Sequence, residues 1–522
     1  MKKYLLKRIL FSIFALFSVV GIVMILVYSL IDRSLIFAND PTIAKKANNE
    51  LEIYKIQKYE KYGYLTYENY DIYIKSKYEA KYGAEYTTNP DYITASKAIT
   101  DENTYLTNPD VIEFKTTFEK QHYDIKLFPQ MKKSNGAFLS KAYLVAIKEI
   151  NPVTRLFKYF GSLFKFETIN DIDDPNLTNR YIRWEWDKRS NMPALVGSGT
   201  THKYLIYFDN KFPFVHQNIF KLNLGKSYVT YRDVDLTDVF SQPTGDTIFE
   251  EQEYPNDLGT GVTHTTSYDF HTVTYNSAEL SPLEKEMFPD NYTMPSQQHA
   301  GLSRMGNSFT IGIISTILVY LFGLPLGILM ALKKDKIFDK IGNLYIIFII
   351  AVPPLAYIFM FASIGMNLFG LPYKFATAET IQLAYILPTI SLALPAIGGL
   401  MKWMRRYMID QMNSDYVKFA RSQGLSEGEI FSKHISPNAM IYLVHGIPAD
   451  ILGALTGAII TESVYSVPGV GALLTDAISK SDNSLIVAMT LFYTTLTIIS
   501  LILGDLLLAK YDPRISFTEG GN

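Results

Sequence analysis

The chain has 522 residues, more than one ordinary soluble domain needs. A net charge of −2 gives no bulk attraction to nucleic acid or acidic lipid, and the lack of cysteine excludes disulfides and thiolate metal or redox chemistry. The near-zero mean hydropathy of +0.06 averages a polar, tyrosine-rich stretch over 33–305 with long apolar runs on either side of it.

The first element is ILFSIFALFSVVGIVMILVYSLI (9–31), without a single charge. A bilayer core about 30 Å thick needs roughly 20 apolar residues in a helix. A cleaved signal peptide typically has an apolar core of about 7–15 residues followed by a small-x-small site. This run is longer and no clear site follows, so residues 1–32 are expected to form an uncleaved transmembrane helix.

Residues 33–305 read as an inserted α+β domain of one or two subdomains. Aromatics are too plentiful there for a solvated tail. The tyrosine-crowded stretch 54–92 has helical character up to about Tyr82. KYLIYF (203–208), SYVTYRDVD (227–235) and TSYDFHTVTYN (266–276) alternate as strands do. Asn176 and Asn291 begin N-x-T triplets, a pattern that also arises by chance.

Five further apolar runs follow, at 307–332, 341–369, 381–403, 438–461 and 485–509, within a core spanning 306–522. Pro353, Pro354, Pro388 and Pro395 are expected to break the second and third of these. Lysine and arginine set the direction. Lys2, Lys3, Lys7 and Arg8 precede the first span, and Lys333, Lys334, Lys336 and Lys340 follow the second. Lys402, Arg405, Arg406, Lys418, Arg421 and Lys433 lie between the fourth and fifth, and Lys510 and Arg514 follow the sixth. The short loops of the other side carry only Lys374 and Lys480. This bias puts both termini in the cytoplasm and 33–305 outside the cell; long domains translocate largely regardless of their charge.

Between spans four and five, about 411–436, lies DYVKFARSQGLSEGEIFSKHISPNA (415–439). Tyr416, Phe419 and Ala420 share a helical face at i, i+3, i+4 spacing. Gly424 falls where a helix ends in a left-handed residue, and Ser426 with Glu429 fits a capping box. A second helix through Ile430, Phe431 and Ile435 then leads to Pro437. A connection with two helices of its own exceeds what joining requires. Apolar Tyr416, Phe419 and Leu425 at a cytoplasmic surface suggest a partner.

Span five carries polar residues. Asp450 falls near its middle, where an aspartate costs about 2.5–3.5 kcal/mol on insertion scales. Such a residue lines a pathway or gate, or makes a structural hydrogen bond to a neighbouring span. His445, one turn earlier, is a weaker candidate of the same kind. Glu462 either lines the mouth of a path or braces the Pro468-Gly469 turn. Asp505 is expected in a structural ion pair. No catalytic or metal site emerges: GSGTTHK (197–203) lacks the spacing of a phosphate-cradling loop, and H-E-x-x-H and G-x-S-x-G are absent.

The stretch 415–439 resembles the cytoplasmic coupling loop of ABC-importer membrane subunits, E-A-A, three residues, Gly, nine residues, I-x-L-P. Ala420, Gly424 and Pro437 stand at that spacing, while Lys418, Phe419, His434 and Ser436 depart from it. The form D-Y-V-x-x-A-R-x-x-G-L-S is closer to the oligopeptide/dipeptide (Opp/Ami) branch. So are TESVYSVPGVGALL (461–474), DLLLAKYDPRI (505–515), GLPLGILMALKK (323–334), LLKRIL near the start, and LNLGKSY (222–228), similar to a signature before span two. The match covers 1–35, about 220–245 and 303–517.

The resemblance implies an all-α, six-span permease with its α+β domain inserted between helices 1 and 2. It implies a homologous second permease, two cytoplasmic ATPases that bind ATP and magnesium, an external peptide-binding lipoprotein, and peptide cargo crossing the lipid bilayer. Asp415, Tyr416, Phe419, Ala420, Arg421, Gly424, Leu425, Ser426, Glu429 and Pro437 then form the ATPase-coupling element; no cofactor is bound by the chain itself. Nickel chelates, glutathione or a signalling peptide are alternative cargoes. A membrane-anchored receptor is the rival from another class, and it leaves the capped hairpin without a role.

Overall fold

The computed structural model describes residues 2–38, 40–166, 177–211, 214–253, 263–288, 290–378 and 380–511. Asn176, Arg514 and the D-P-R-I segment at 512–515 lie outside them. The chain divides into two compact units, residues 24–161 and residues 1–23 with 162–522. The polar stretch 33–305, expected as an insertion of one or two subdomains, is shared between these two units.

In the first unit, a three-stranded antiparallel sheet has the order Leu65–Asn69, Tyr143–Glu149, Asp124–Phe128. Helices start where asparagine caps them. Asn69, Asn89 and Asn108 each accept the N–H two residues on, and a proline occupies the first helical position after Asn89 and Asn108. The tyrosines largely serve the core: Tyr70 and Tyr78 are buried with Ile74, Phe114, Phe118 and Leu144. Tyr70 meets Phe114 edge to face at 5.5 Å, and its hydroxyl donates to the Ala95 carbonyl.

The second unit contains an antiparallel meander, Tyr181–Asp187, Met192–Ser198, Tyr204–Phe208 and Val215–Gln217, preceded by the short strand Phe164–Phe166 paired with Phe220–Leu222. The third of these is the expected strand 203–208. The other two expected strands are not formed. Within 227–235 the only bridge joins Lys226 to Asp235, because Ser227 and the N–H groups of Val229 and Thr230 turn to Asp482. In 266–276 only Thr266 is in a strand, and Tyr268, Thr274 and Tyr275 make isolated antiparallel bridges. A 3-10 turn at Phe270–Thr272, capped by Asp269, sends Phe270, Val273 and Tyr275 into the core instead. Beside it, Asp187 accepts from His271 Nε2 at 2.7 Å and from Ser190 Oγ at 2.6 Å. Burial alone would raise the Asp187 carboxyl; the bonds from His271, Ser190 and the Arg189 N–H outweigh it and hold it down at about 2.

The apolar helices are α1 (Lys2–Leu30), α2 (Arg304–Leu332), α3 (Ile337–Ala351), α4 (Pro354–Phe369) and α5 (Ile381–Met412). After them come α6 (Asp415–Ser422), α7 (Glu427–Ile430), α8 (Ser436–Val444), α9 (Ile447–Tyr465), α10 (Val470–Ser479) and α11 (Asn483–Tyr511). Among the described residues five helices are long and apolar enough to cross a membrane, or six if the bent pair α3–α4 is one span.

Prolines act unequally. Pro353-Pro354 separates α3 from α4 at a bend of 114°. Pro388 and Pro395, expected to break the next span, lie inside the continuous helix α5. That helix buries Leu387, Ile397, Leu400, Met401 and Met404, and packs on α2 more extensively than any other helix pair described. Its packing outlasts the two lost N–H donors. The run expected as span five is itself divided, because Pro448 has no N–H for the Val444 carbonyl and α8 ends just before it.

Candidate functional site

Helix α6 ends at Ser422 with Gln423 as its C-cap, and Gly424 follows with a φ of +80°, the left-handed conformation read from the sequence. A Cβ there would meet no atom within 4 Å, so backbone strain alone favours glycine. Two residues later the capping box closes: Glu429 N–H donates to Ser426 Oγ at 3.3 Å, and Ser426 N–H donates to Glu429 Oε2 at 3.2 Å. Arg421 spans the turn with two bonds to Glu427, Nε to Oε1 at 2.7 Å and Nη2 to Oε2 at 3.0 Å. The bonds from Arg421 hold the Glu427 carboxyl below its usual range, and those from Ser426 do the same for Glu429. Asp415 is lowered in the same way by Lys418, 2.8 Å away.

The apolar residues of α6 divide differently from the expected face. Val417 and Ala420 are buried against Ala331, Met404, Met408, Ile430, Ile435 and Ala439, which fixes the underside of the turn to α2 and α5. Tyr416 is half-buried and its hydroxyl donates to Gln411 Oε1 at 2.7 Å. Only Phe419, 65% exposed, and Leu425, 38% exposed, point outward. Ala420 therefore belongs to the hinge of the turn, not to its tip. After α7 the chain makes a π-turn at Phe431–Ile435 and enters α8 with Pro437 in its first turn.

Asp450 lies in the first turn of α9, not in mid-helix. There the free N–H groups and the helix dipole favour a carboxylate by about 0.3–1 kcal/mol. Tyr320 of α2 donates its hydroxyl to Asp450 Oδ2. His445 stands at the break before α9, where its carbonyl is approached so closely by α11 that a Cβ on Gly504 would lie 2.7 Å from it. Asp450 and His445 both line a cavity of 460 Å³ bounded by α2, α5, α8 and α9.

Glu462 is fully buried, and its carboxylate is bonded into the following turn, the geometry that the bracing role calls for. Oε1 accepts from Ser308 Oγ at 2.6 Å and Oε2 from the Ala472 N–H at 3.1 Å. Ser308 Oγ in turn accepts the Val470 N–H at 2.8 Å, and Asn307 Nδ2 donates to the Pro468 carbonyl at 2.9 Å. A Cβ on Gly469 would collide with the Glu462 carboxylate. Asp505 pairs with Arg8 at 3.1 Å, the structural ion pair expected.

Several important partners are not among the residues expected from sequence. Glu427 clasps Arg421, but only the geometry of the turn brings them together. Asp482 is buried and accepts from Ser227 Oγ at 2.6 Å, which attaches the LNLGKSY segment to the start of α11. The S-D-N-S run before an apolar stretch signals a helix start there, but not the distant serine. Asp339 is buried and takes two bonds from Arg405 at 2.6 and 2.7 Å, joining α3 to α5.

A family model described as binding-protein-dependent transport system inner membrane component matches residues 323–517, a segment that holds the Gly424 turn, Asp450 and Glu462. The oligopeptide transport system permease protein AmiC of Streptococcus pneumoniae serotype 4 is 34% identical over 534 aligned residues, 100% of both chains. This chain belongs to that permease family. The dipeptide transport system permease protein DppB of Lactococcus lactis subsp. cremoris is 30% identical over 215 residues, 41% of this chain and 69% of that protein. DppB of Bacillus subtilis is 28% identical over 216 residues, with the same coverage. The alignment with AmiC thus takes in the polar stretch 33–305, whereas the DppB alignments are too short to include it. These relatives are named as transport permeases, not as enzymes, and the permease is accordingly a multi-pass membrane subunit of an ABC importer.

Proposed function

We propose that this permease forms one half of the translocation path of an ATP-driven oligopeptide importer. A homologous permease forms the other half, two cytoplasmic ATPases bind ATP and magnesium, and an external binding protein delivers the peptide. The bent pair α3–α4 counts as one span, giving six. Both termini and the Gly424 turn face the cytoplasm, and 33–305, inserted between spans one and two, faces outward as the lysine and arginine bias requires. The core runs over 306–522, with coupling by Asp415, Tyr416, Phe419, Ala420, Arg421, Gly424, Leu425, Ser426, Glu429 and Pro437.

One observation carries this reading. The turn presents Phe419 and Leu425 to solvent, while Val417 and Ala420 root it on α2 and α5. Such a knob transmits a push: a partner grips two apolar residues, and the buried underside passes the displacement to the spans. The oligopeptide cargo is supported by the full-length likeness to AmiC. The stretch 33–305, shared with that relative, is the surface on which we expect the binding protein to dock.

Gly424→Val tests the coupling role. A Cβ meets no atom there, so the variant should stay folded and membrane-inserted, but φ of +80° costs it about 1–2 kcal/mol and displaces the turn. In the reconstituted complex, peptide uptake should fall about tenfold relative to ATP hydrolysis, the factor that corresponds to such a strain. Uptake equal to wild type at equal ATP hydrolysis would refute the role.

A further inference from the structure

We propose that the cavity containing Asp450 is a binding site for an ammonium group, filled in transport by the free amino terminus of the peptide. The inference rests on the importer reading and names the part of the cargo that this half of the path recognises.

Three features converge. Asp450 is exposed and has no ion-pair partner among the described residues; its one side-chain bond, from the Tyr320 hydroxyl, goes to Oδ2 and leaves Oδ1 without a donor. A lone carboxylate in a membrane-spanning segment is expensive and commonly marks a substrate or ion path. The same cavity has an aromatic wall of Trp403, Tyr407 and Tyr442; the rings stack on one another, Trp403 on Tyr407 at 5.7 Å and Tyr407 on Tyr442 at 5.1 Å, and Arg406 lies 5.4 Å over Trp403, so the wall offers apolar ring surface with its faces largely taken. A carboxylate in a cavity walled by apolar ring surface is chemistry that holds an ammonium ion, and partial desolvation strengthens that contact. The α9 side of the cavity is lined by Gly446, Ala449 and Gly453, at i, i+3, i+7 spacing. His445, at the break before α9, lines the same cavity beside these small residues. Whatever its sequence, an unblocked peptide always carries the terminal ammonium, so a site built this way accepts the cargo end-on and stays indifferent to side chains.

The test is equilibrium binding to the complete transporter in nanodiscs without its binding protein, using labelled Ala-Ala-Ala, N-acetyl-Ala-Ala-Ala and N-acetyl-Ala-Lys-Ala. The wild type should bind the free-amine peptide at least about tenfold more tightly than either acetylated one, the scale of a hydrogen-bonded charge contact. Asp450→Asn, which preserves shape and the Tyr320 bond, should bring the three within about twofold, and Asp450→Glu should restore part of the preference. A preference unchanged in Asp450→Asn overturns the site. Equal binding of the free-amine and the acetylated lysine peptides by wild type overturns its assignment to the amino terminus. ATP-driven uptake by the wild type with its binding protein is measured alongside. Failure of that uptake sinks the importer reading, whereas normal uptake with unchanged discrimination in Asp450→Asn sinks the ammonium site alone.

Discussion

The turn at Gly424 and the turn at Gly469 stand at the two ends of one helical run, from α7 through α9, and each contains a glycine for a different reason. Gly424 has open space around it but a left-handed backbone. Gly469 has an extended backbone, φ −114° and ψ 174°, but no space, because the Glu462 carboxylate fills the position of its Cβ. The first turn is closed by solvent-exposed bonds, Arg421 to Glu427 and Ser426 to Glu429. The second is closed by one buried carboxylate that satisfies Ser308 and Ala472. The difference teaches where each turn keeps its stability. An exposed turn is specified by local backbone chemistry and survives the loss of a clasp, since water takes the place of the lost partner. A buried turn depends on every partner, since none can be replaced by water.

The largest effect expected from this contrast is at Glu462. Glu462→Ala leaves the Ser308 hydroxyl and the Ala472 N–H without their acceptor in a buried site, at about 1–3 kcal/mol each. Thermal unfolding of the purified permease should show a clear fall in Tm, and Glu462→Gln should recover part of it. A wild-type Tm for the alanine variant would break the comparison outright. Next comes the pair of glycines. Gly469→Ala overpacks against a buried carboxylate and should cost about 1–3 kcal/mol, more than Gly424→Ala, which has room and only backbone strain to bear. Tm values in the opposite order would show that space is not what limits Gly469. The smallest effect is at the clasp: Arg421→Ala combined with Glu427→Ala should leave Tm unchanged in the same assay. A shift as large as that of Gly469→Ala would mean that the exposed turn is not solvent-screened after all.

The Gly424 turn was the most legible part of the site. Its glycine, its capping box and the short helix before it depend on residues within a few positions of one another, and such chemistry is written in the local sequence. The tip was legible only in part. Periodicity at 416, 419 and 420 allows two apolar faces, and packing against Met404 and Met408 selects the one that buries Val417 and Ala420 and leaves Phe419 outside. SYVTYRDVD alternates as a strand does, yet it serves as a docking loop, because Asp482 draws its hydroxyl and amides from more than 250 residues away. TSYDFHTVTYN fails as a strand for a nearer cause, the Asp269 cap that starts a 3-10 turn inside it.

By itself the sequence determined which segments are apolar enough to leave water, which side of the membrane the lysines and arginines favour, and where glycine, serine and glutamate cap a helix. Those properties belong to single residues and their immediate neighbours. Only the tertiary structure decided that Pro353-Pro354 bends the chain while Pro388 and Pro395 do not, that Asp450 begins a helix and faces a cavity, and that Glu462 is sealed inside a turn. A proline's or a carboxylate's outcome depends on what packs against it, and those partners come from helices far away in the chain.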